Sequence, residues 1–200
     1  MKTLYTGLTA PDASYIHTPL IEITPVDDDT ALRRAADKVD SYDYVLHTSR
    51  YTATYVGGLL AKARKTVSIG SATTEALRQK GVKEIEQVER DNSYGVIDWF
   101  SRQPRGRVLI PRSNLALPII PDGLQALGFE VDCITAYINR MPLHPQEVNL
   151  DEIDRIVFTS PSTINNFIRL YGSVPSGKEL VTRGPVTEQY LQTIIKQQQL

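Results

Sequence analysis

The segment at 43–49 reads DYVLHTS, and the segment at 154–160 reads DRIVFTS. Each opens on Asp, runs through apolar residues and closes on Thr-Ser. A second pair follows, GSATTEAL at 70–77 and GPVTEQYL at 184–191, each with Gly, then Thr three residues on, then Leu four further. The offsets between copies are 111 and 114 residues. Two matched pairs at nearly constant offset constrain the chain to two related lobes. Each lobe carries small hydroxyl residues where strands hand over to helices, and the duplication predicts a ligand held between them.

Apolar periodicity extends this reading along the chain. Strands are expected at 2–6, 44–48, 67–69, 85–88, 107–111, 130–134, 155–159 and 179–182. Helices are expected at 30–39, 52–63, 71–80, 93–103, 120–127, 162–170 and 187–196, with Gly81 and Gly128 as stops. Residues 9–18 read as a polar turn. The alternation of strand and helix predicts an α/β fold with mostly parallel sheets. The extended stretches near 19–26 (PLIEITP and its flank) and 135–141 are expected to pair as a two-stranded connector. The expected domains are a discontinuous terminal lobe, 1–22 with 142–200, and a central lobe, 27–136. The first strand is assigned to the terminal lobe because the central one is already complete.

Net charge is −1, so no basic field draws nucleic acid or anionic lipid, and neither is an expected partner. A single cysteine, Cys133, excludes an intramolecular disulfide and a cysteine-rich metal site; its strand-like surroundings predict a buried thiol. No apolar run reaches membrane-spanning length, and the N-terminal stretch lacks a signal peptide's apolar core. A cytoplasmic protein with no membrane partner is expected.

In parallel sheets ligands bind beyond the carboxyl ends of the strands. Four segments place hydroxyl residues there: Ser49 after Thr48; Ser71 with Thr73 and Thr74; Ser160 with Ser162; and Thr187. Helix starts offer unpaired N–H donors that suit carboxylate or phosphate. Ser and Thr are also simply good helix caps, so both readings stand. Arg112 follows a strand at the same edge and reads as a carboxylate clamp or as a solvated arginine. His47 aligns with Phe158 in the repeat and fits a side-chain pocket. The histidines lack metal-ligand spacing, and GxGxxG and GxxxxGK[ST] are absent, so no metal, dinucleotide or P-loop nucleotide is expected; no GxSxG nucleophile elbow is present either. Tyr137 lies in the second crossing, for packing or for chemistry.

Six signatures in order resemble the uroporphyrinogen-III synthase family: PLIEITP (19–25), DYVLHTS (43–49), IGSATTEALRQKG (69–81), RVLIPRSN (107–114), LQALGFEVDCITAY (124–137) and DRIVFTSPSTINNF (154–167). The resemblance implies two HemD-like α/β lobes and a cofactor-free lyase reaction of tetrapyrrole and heme biosynthesis. Hydroxymethylbilane, a small-molecule substrate, closes to uroporphyrinogen III with inversion of its last ring, through an azafulvene and a spiro intermediate. It further implies that Tyr137 is the family's connector tyrosine, assisting departure of the hydroxyl. The family's hydroxyl edges map onto Ser49, Thr73, Ser160, Ser162 and Thr187.

Two departures fall on the terminal lobe. The family carries a helix between its first strand and PLIEI, where this chain has the polar stretch; a further strand and helix usually follow the position of GPVTEQYL. SNLALP also stands where the family often has a second basic residue. A trimmed terminal lobe is therefore expected, in a chain that acts as a monomer. The competing readings are a non-catalytic tetrapyrrole- or anion-binding relative and a flavodoxin-like interaction module.

Overall fold

The computed structural model describes residues 1–198. In chain order the elements are β1 (Thr3–Tyr5), β2 (Ile16–His17), β3 (Glu22–Pro25), α1 (Thr30–Ala36), β4 (Tyr44–His47), α2 (Arg50–Val56), β5 (Thr66–Ser68), α3 (Ser71–Gln79), β6 (Ile85–Gln87) and α4 (Ser93–Ser101). Then come β7 (Arg107–Ser113), α5 (Ile119–Ala126), β8 (Glu130–Arg140), β9 (Arg155–Phe158), α6 (Pro161–Tyr171), β10 (Glu179–Thr182) and α7 (Pro185–Gln198). Two compact units result: one is Thr24–Ile138, the other Met1–Ile23 with the chain from Asn139 onward.

The Thr24–Ile138 unit is built on a sheet ordered β3-β8-β7-β4-β5-β6. The pairs β8–β7, β7–β4, β4–β5 and β5–β6 are all parallel. Parallel strands need helical crossovers, which explains the apolar runs YVL and VLI: both faces of these strands are covered. One face gathers Tyr44, Leu46, Val108 and Ile110 against Trp99 and Phe100 of α4 and Leu124 of α5. Ala53 of α2 and Leu77 of α3 meet in a separate cluster. Gly81 (φ 84°) and Gly128 (φ 88°) end α3 and α5 in the left-handed region, which a side chain would strain.

The discontinuous unit holds a sheet ordered β10-β9-β1-β2, parallel throughout. Its core joins Leu4, Ile156 and Phe158 to Ile164 and Phe167 of α6 and Leu191 of α7. Between β1 and β3 the only regular element among the described residues is the two-residue β2, within the stretch read as a turn.

Three further expectations change. The helix expected at 52–63 starts at Arg50 and stops at Val56, because Gly57 and Gly58 weaken it and the chain continues as turns to residue 62. The helix expected at 30–39 ends at Ala36, and a 3₁₀ turn, Val39–Ser41, follows. Cys133 is exposed rather than buried.

Candidate functional site

From β4 the chain of the Thr24–Ile138 unit winds outward through β5 and β6. It then returns to the other side of β4 to make β7 and β8. The winding reverses between β4 and β7, and open parallel sheets bind ligands at the carboxyl ends beside such a reversal. Ser49 follows β4 there, Ser113 ends β7, and Tyr137 stands on the neighbouring β8.

A β-bulge brings Tyr137 to this point. Arg112 pairs with Thr135, but Ser113 pairs with Tyr137, so Ala136 is an extra residue on β8. Side chains alternate between faces. In unbroken register Tyr137 would share the face of Cys133 and Thr135. The extra residue turns it onto the face of Ser113, beneath α2.

The Tyr137 ring is 8% exposed. It meets the Tyr51 ring at 5.8 Å and stacks on Tyr55 at 6.3 Å. Tyr51 and Tyr55 are four residues apart on α2 and so lie on one helix face. The Tyr137 hydroxyl donates to Ser49 Oγ at 3.4 Å, long for an O–H···O bond. Burial pushes its pKa up, while hydrogen bonds with Ser49 and Ser113 pull it down. Ser49 caps α2 by accepting from the Tyr51 N–H at 3.1 Å. Arg50 lies over the Tyr51 ring and donates to its hydroxyl at 2.9 Å.

The other hydroxyls named from the sequence divide. Ser71 is exposed at the first position of α3, and Thr73 is buried in the same first turn. Thr74 is tied within the protein: its hydroxyl lies 2.7 Å from Ser68 Oγ and from Gln87 Oε1, and 3.1 Å from the Gly70 carbonyl. It ties β5 and β6 to α3, with its single proton going to one of these oxygens. Arg112 is neither fully solvated nor beside Tyr137. On the opposite face of β7 it donates to the Ala116 carbonyl and meets Cys133 Sγ at 3.8 Å. No carboxylate pairs with it among the described residues. His47 is 1% exposed. The Thr52 hydroxyl gives its proton to the Ser49 carbonyl at 2.7 Å and so accepts from His47 Nδ1 at 3.3 Å. Burial drives the His47 pKa down to about 3, leaving a neutral packing group.

In the discontinuous unit the reversal falls between β1 and β9. Ser160 caps α6 in a reciprocal box: its Oγ accepts from the Thr163 N–H at 3.4 Å, and Thr163 Oγ1 accepts from the Ser160 N–H at 3.2 Å. Ser162 lies 2.8 Å from Ser160 Oγ and accepts from Asn139 Nδ2 at 3.4 Å. Thr187 is buried in the first turn of α7. Arg183, just past β10, lies over the Tyr5 ring at 5.3 Å.

Sequence reading did not find Ser113, Tyr51, Tyr55, Arg50 or Arg183. The four-residue spacing of Tyr51 and Tyr55 was the available signal for the pair. Nothing in the sequence marks the bulge that turns Tyr137.

The uroporphyrinogen-III synthase HemD family profile matches residues 3–194. The chain belongs to the uroporphyrinogen-III synthase HemD family. A protein of Methanothermobacter thermautotrophicus, provisionally named uroporphyrinogen-III synthase, is 26% identical over 168 residues, 76% of this chain. The match spans 65% of that relative's length. Among solved structures, a uroporphyrinogen III synthase variant from Thermus thermophilus superposes with a TM-score of 0.67 at 17% identity, covering 96% of this chain and 88% of that one. The enzyme from Helicobacter pylori 26695 gives 0.62 at 14% identity, with the same coverage. At these identities the superpositions establish that the chain shares the α/β fold of uroporphyrinogen-III synthases, with mostly parallel sheets.

Proposed function

We infer that the protein is a uroporphyrinogen-III synthase, a lyase that closes hydroxymethylbilane with inversion of its last pyrrole ring. Family membership supports the reaction class. The observation that carries the reading is the Tyr137 phenol, buried beside the sheet reversal with its proton on a long hydrogen bond.

The chemistry suits a phenol. The hydroxymethyl C–O bond breaks as the pyrrole electrons form an azafulvene, and the departing hydroxyl takes the Tyr137 proton to leave as water. Attack by the substituted carbon of the last ring gives the spiro intermediate, which reopens and recloses through the free carbon. The proton released as that ring regains aromaticity returns the phenoxide to phenol. Ser49, Ser71 and Thr73 are proposed as hydroxyl contacts for the substrate's carboxylates in the Thr24–Ile138 unit. Ser160, Ser162 and Thr187 are proposed for the discontinuous unit. Arg50 and Arg183 are added as candidate cationic contacts.

Turnover of hydroxymethylbilane with separation of the product isomers tests the reading, because spontaneous closure gives isomer I. Accumulation of isomer III supports it. Binding of the cyclic product with no enrichment of isomer III would select the non-catalytic relative instead. Among the described residues no three His, Cys, Asp or Glu side chains group as a metal site requires. Turnover is expected to survive exhaustive chelation.

A further inference from the structure

Beside Tyr137 the Thr24–Ile138 unit has a cavity of about 330 Å³ to which the synthase reading gives no task. Val26, Leu32, Tyr55, Leu59 and Ala136 supply apolar lining, and Asp27 borders it. Two of these residues join it to the Tyr137 site. Tyr55 stacks on the Tyr137 ring at 6.3 Å, and Ala136 is the bulge residue immediately before Tyr137. Leu32 and Ala136 are buried, whereas Tyr55 and Leu59 remain 37% and 43% exposed. Large apolar side chains left partly in water around a concavity offer a surface to a flat apolar ring.

The three carboxylates of the run 27–29 differ in what they are free to do. Asp28 Oδ1 accepts from the Thr30 N–H at 2.9 Å. Asp29 is clamped by Arg33, through Nε at 2.9 Å and a terminal nitrogen at 2.6 Å. The Asp27 carboxylate has no hydrogen-bond or ion-pair partner among the described residues. No Lys, Arg or His lines the cavity. An anionic group is therefore repelled here, and a neutral ring with an N–H to give is suited. A pyrrole, like the indole of tryptophan, is such a ring: a flat apolar body with one donor and no acceptor.

We propose that this cavity is a ring subsite: it takes one pyrrole ring of the tetrapyrrole ligand, with the ring N–H given to Asp27 and the ring laid against Tyr55 and Leu59. The acidic side chains of that ligand are left to the hydroxyl edges. The parent molecule of the ring rests on the synthase reading; the preference for a neutral N–H heteroaromatic ring does not. Holding a ring away from the reacting carbon stabilises bound substrate and transition state alike, so its loss raises KM and leaves kcat. Leu59→Glu, which sets a second carboxylate at the mouth on an exposed position, should raise KM for hydroxymethylbilane by about three- to tenfold, with kcat little changed.

The direct test uses the full wild-type chain with two uncharged probes, pyrrole and N-methylpyrrole, the second lacking the donor. Methyl carbon–proton NMR follows Val26, Leu32, Leu59 and Ala136. Pyrrole should shift these resonances saturably at roughly millimolar concentration, as expected for so small a ligand. N-methylpyrrole should bind about threefold or more weakly, the loss of one hydrogen bond to a carboxylate in water. Asp27→Ala should abolish the difference between the probes. Equal affinity for both probes, a difference that persists in Asp27→Ala, or shifts without saturation would overturn the proposal. An unchanged KM in Leu59→Glu would overturn it as well. Failure of the wild-type protein to turn over hydroxymethylbilane would remove the synthase reading alone, and the probe titrations would still decide the subsite.

Discussion

Burial acts in the same sense on two polar side chains, His47 and Tyr137, favouring the neutral form of each. His47 sits where the repeat has Phe158, and it behaves as an aromatic filler. Its proton affinity is depressed in the fold. Between the ordinary histidine pKa of about 6.5 and its own of about 3, the unfolded chain takes up a proton that the folded chain refuses. Stability attached to His47 is therefore full above that window and is lost as pH falls through it. His47→Phe should remove this dependence: between pH 7 and about pH 4.5 the variant should lose about 2–3 kcal/mol less than wild type in urea unfolding. Tyr137 keeps a transferable proton instead. Tyr137→Phe should preserve the fold and lower kcat by about 10²–10⁴-fold, the range of general acid assistance. Wild-type kinetics in that variant would make the ring a packing group only. Tyr137 and Ser49 could both be named from the sequence because each lies in a recognisable segment. Ser113 could not, because its place beside Tyr137 depends on a register slip that leaves no residue signature.

At the level of elements, strand and helix alternation was legible because parallel strands covered on both faces must be continuous apolar runs. What the periodicity could not give were the ends. Gly57 and Gly58 weakened α2 earlier than its pattern implied, and β2 is too short to show a period. The exposure of Cys133 was missed for a related reason: β8 was read as covered, but much of its outer length is exposed. The start of α6 offers a graded test. Ser160 accepts one N–H, whereas Thr163 Oγ1 accepts from both Thr159 and Ser160 at 3.1 and 3.2 Å and is fully buried. Loss of a cap serine costs typically about 1 kcal/mol, whereas leaving buried donors unmet costs about 1–3 kcal/mol. Thr163→Val should therefore destabilise more than Ser160→Ala, as read from denaturant midpoints at constant slope. The reverse order would mean that the reciprocal box is held mainly by Ser160.

Across the whole molecule, each of the two units has a core of its own. The six-stranded sheet is contiguous in sequence, so a fragment of residues 22–140 should fold alone. That fragment keeps the Arg140–Glu22 ion pair at 2.6 Å between its two ends. A cooperative melt with helical circular dichroism is the expected result, and a non-cooperative one would show that the sheet needs the rest of the chain. The other unit has no such fragment, and this has a consequence for its birth on the ribosome. Lys2, whose amide donates to Asp154, must wait for a partner 152 residues further along. At about 5–20 residues per second that is roughly ten seconds or more, during which β1 exists without β9, the strand that will flank it. The middle of the chain can finish folding inside that interval. The nascent N-terminal strand is thus the segment most exposed to mispairing and to capture by chaperones, and slowed translation between β8 and β9 should lengthen that exposure.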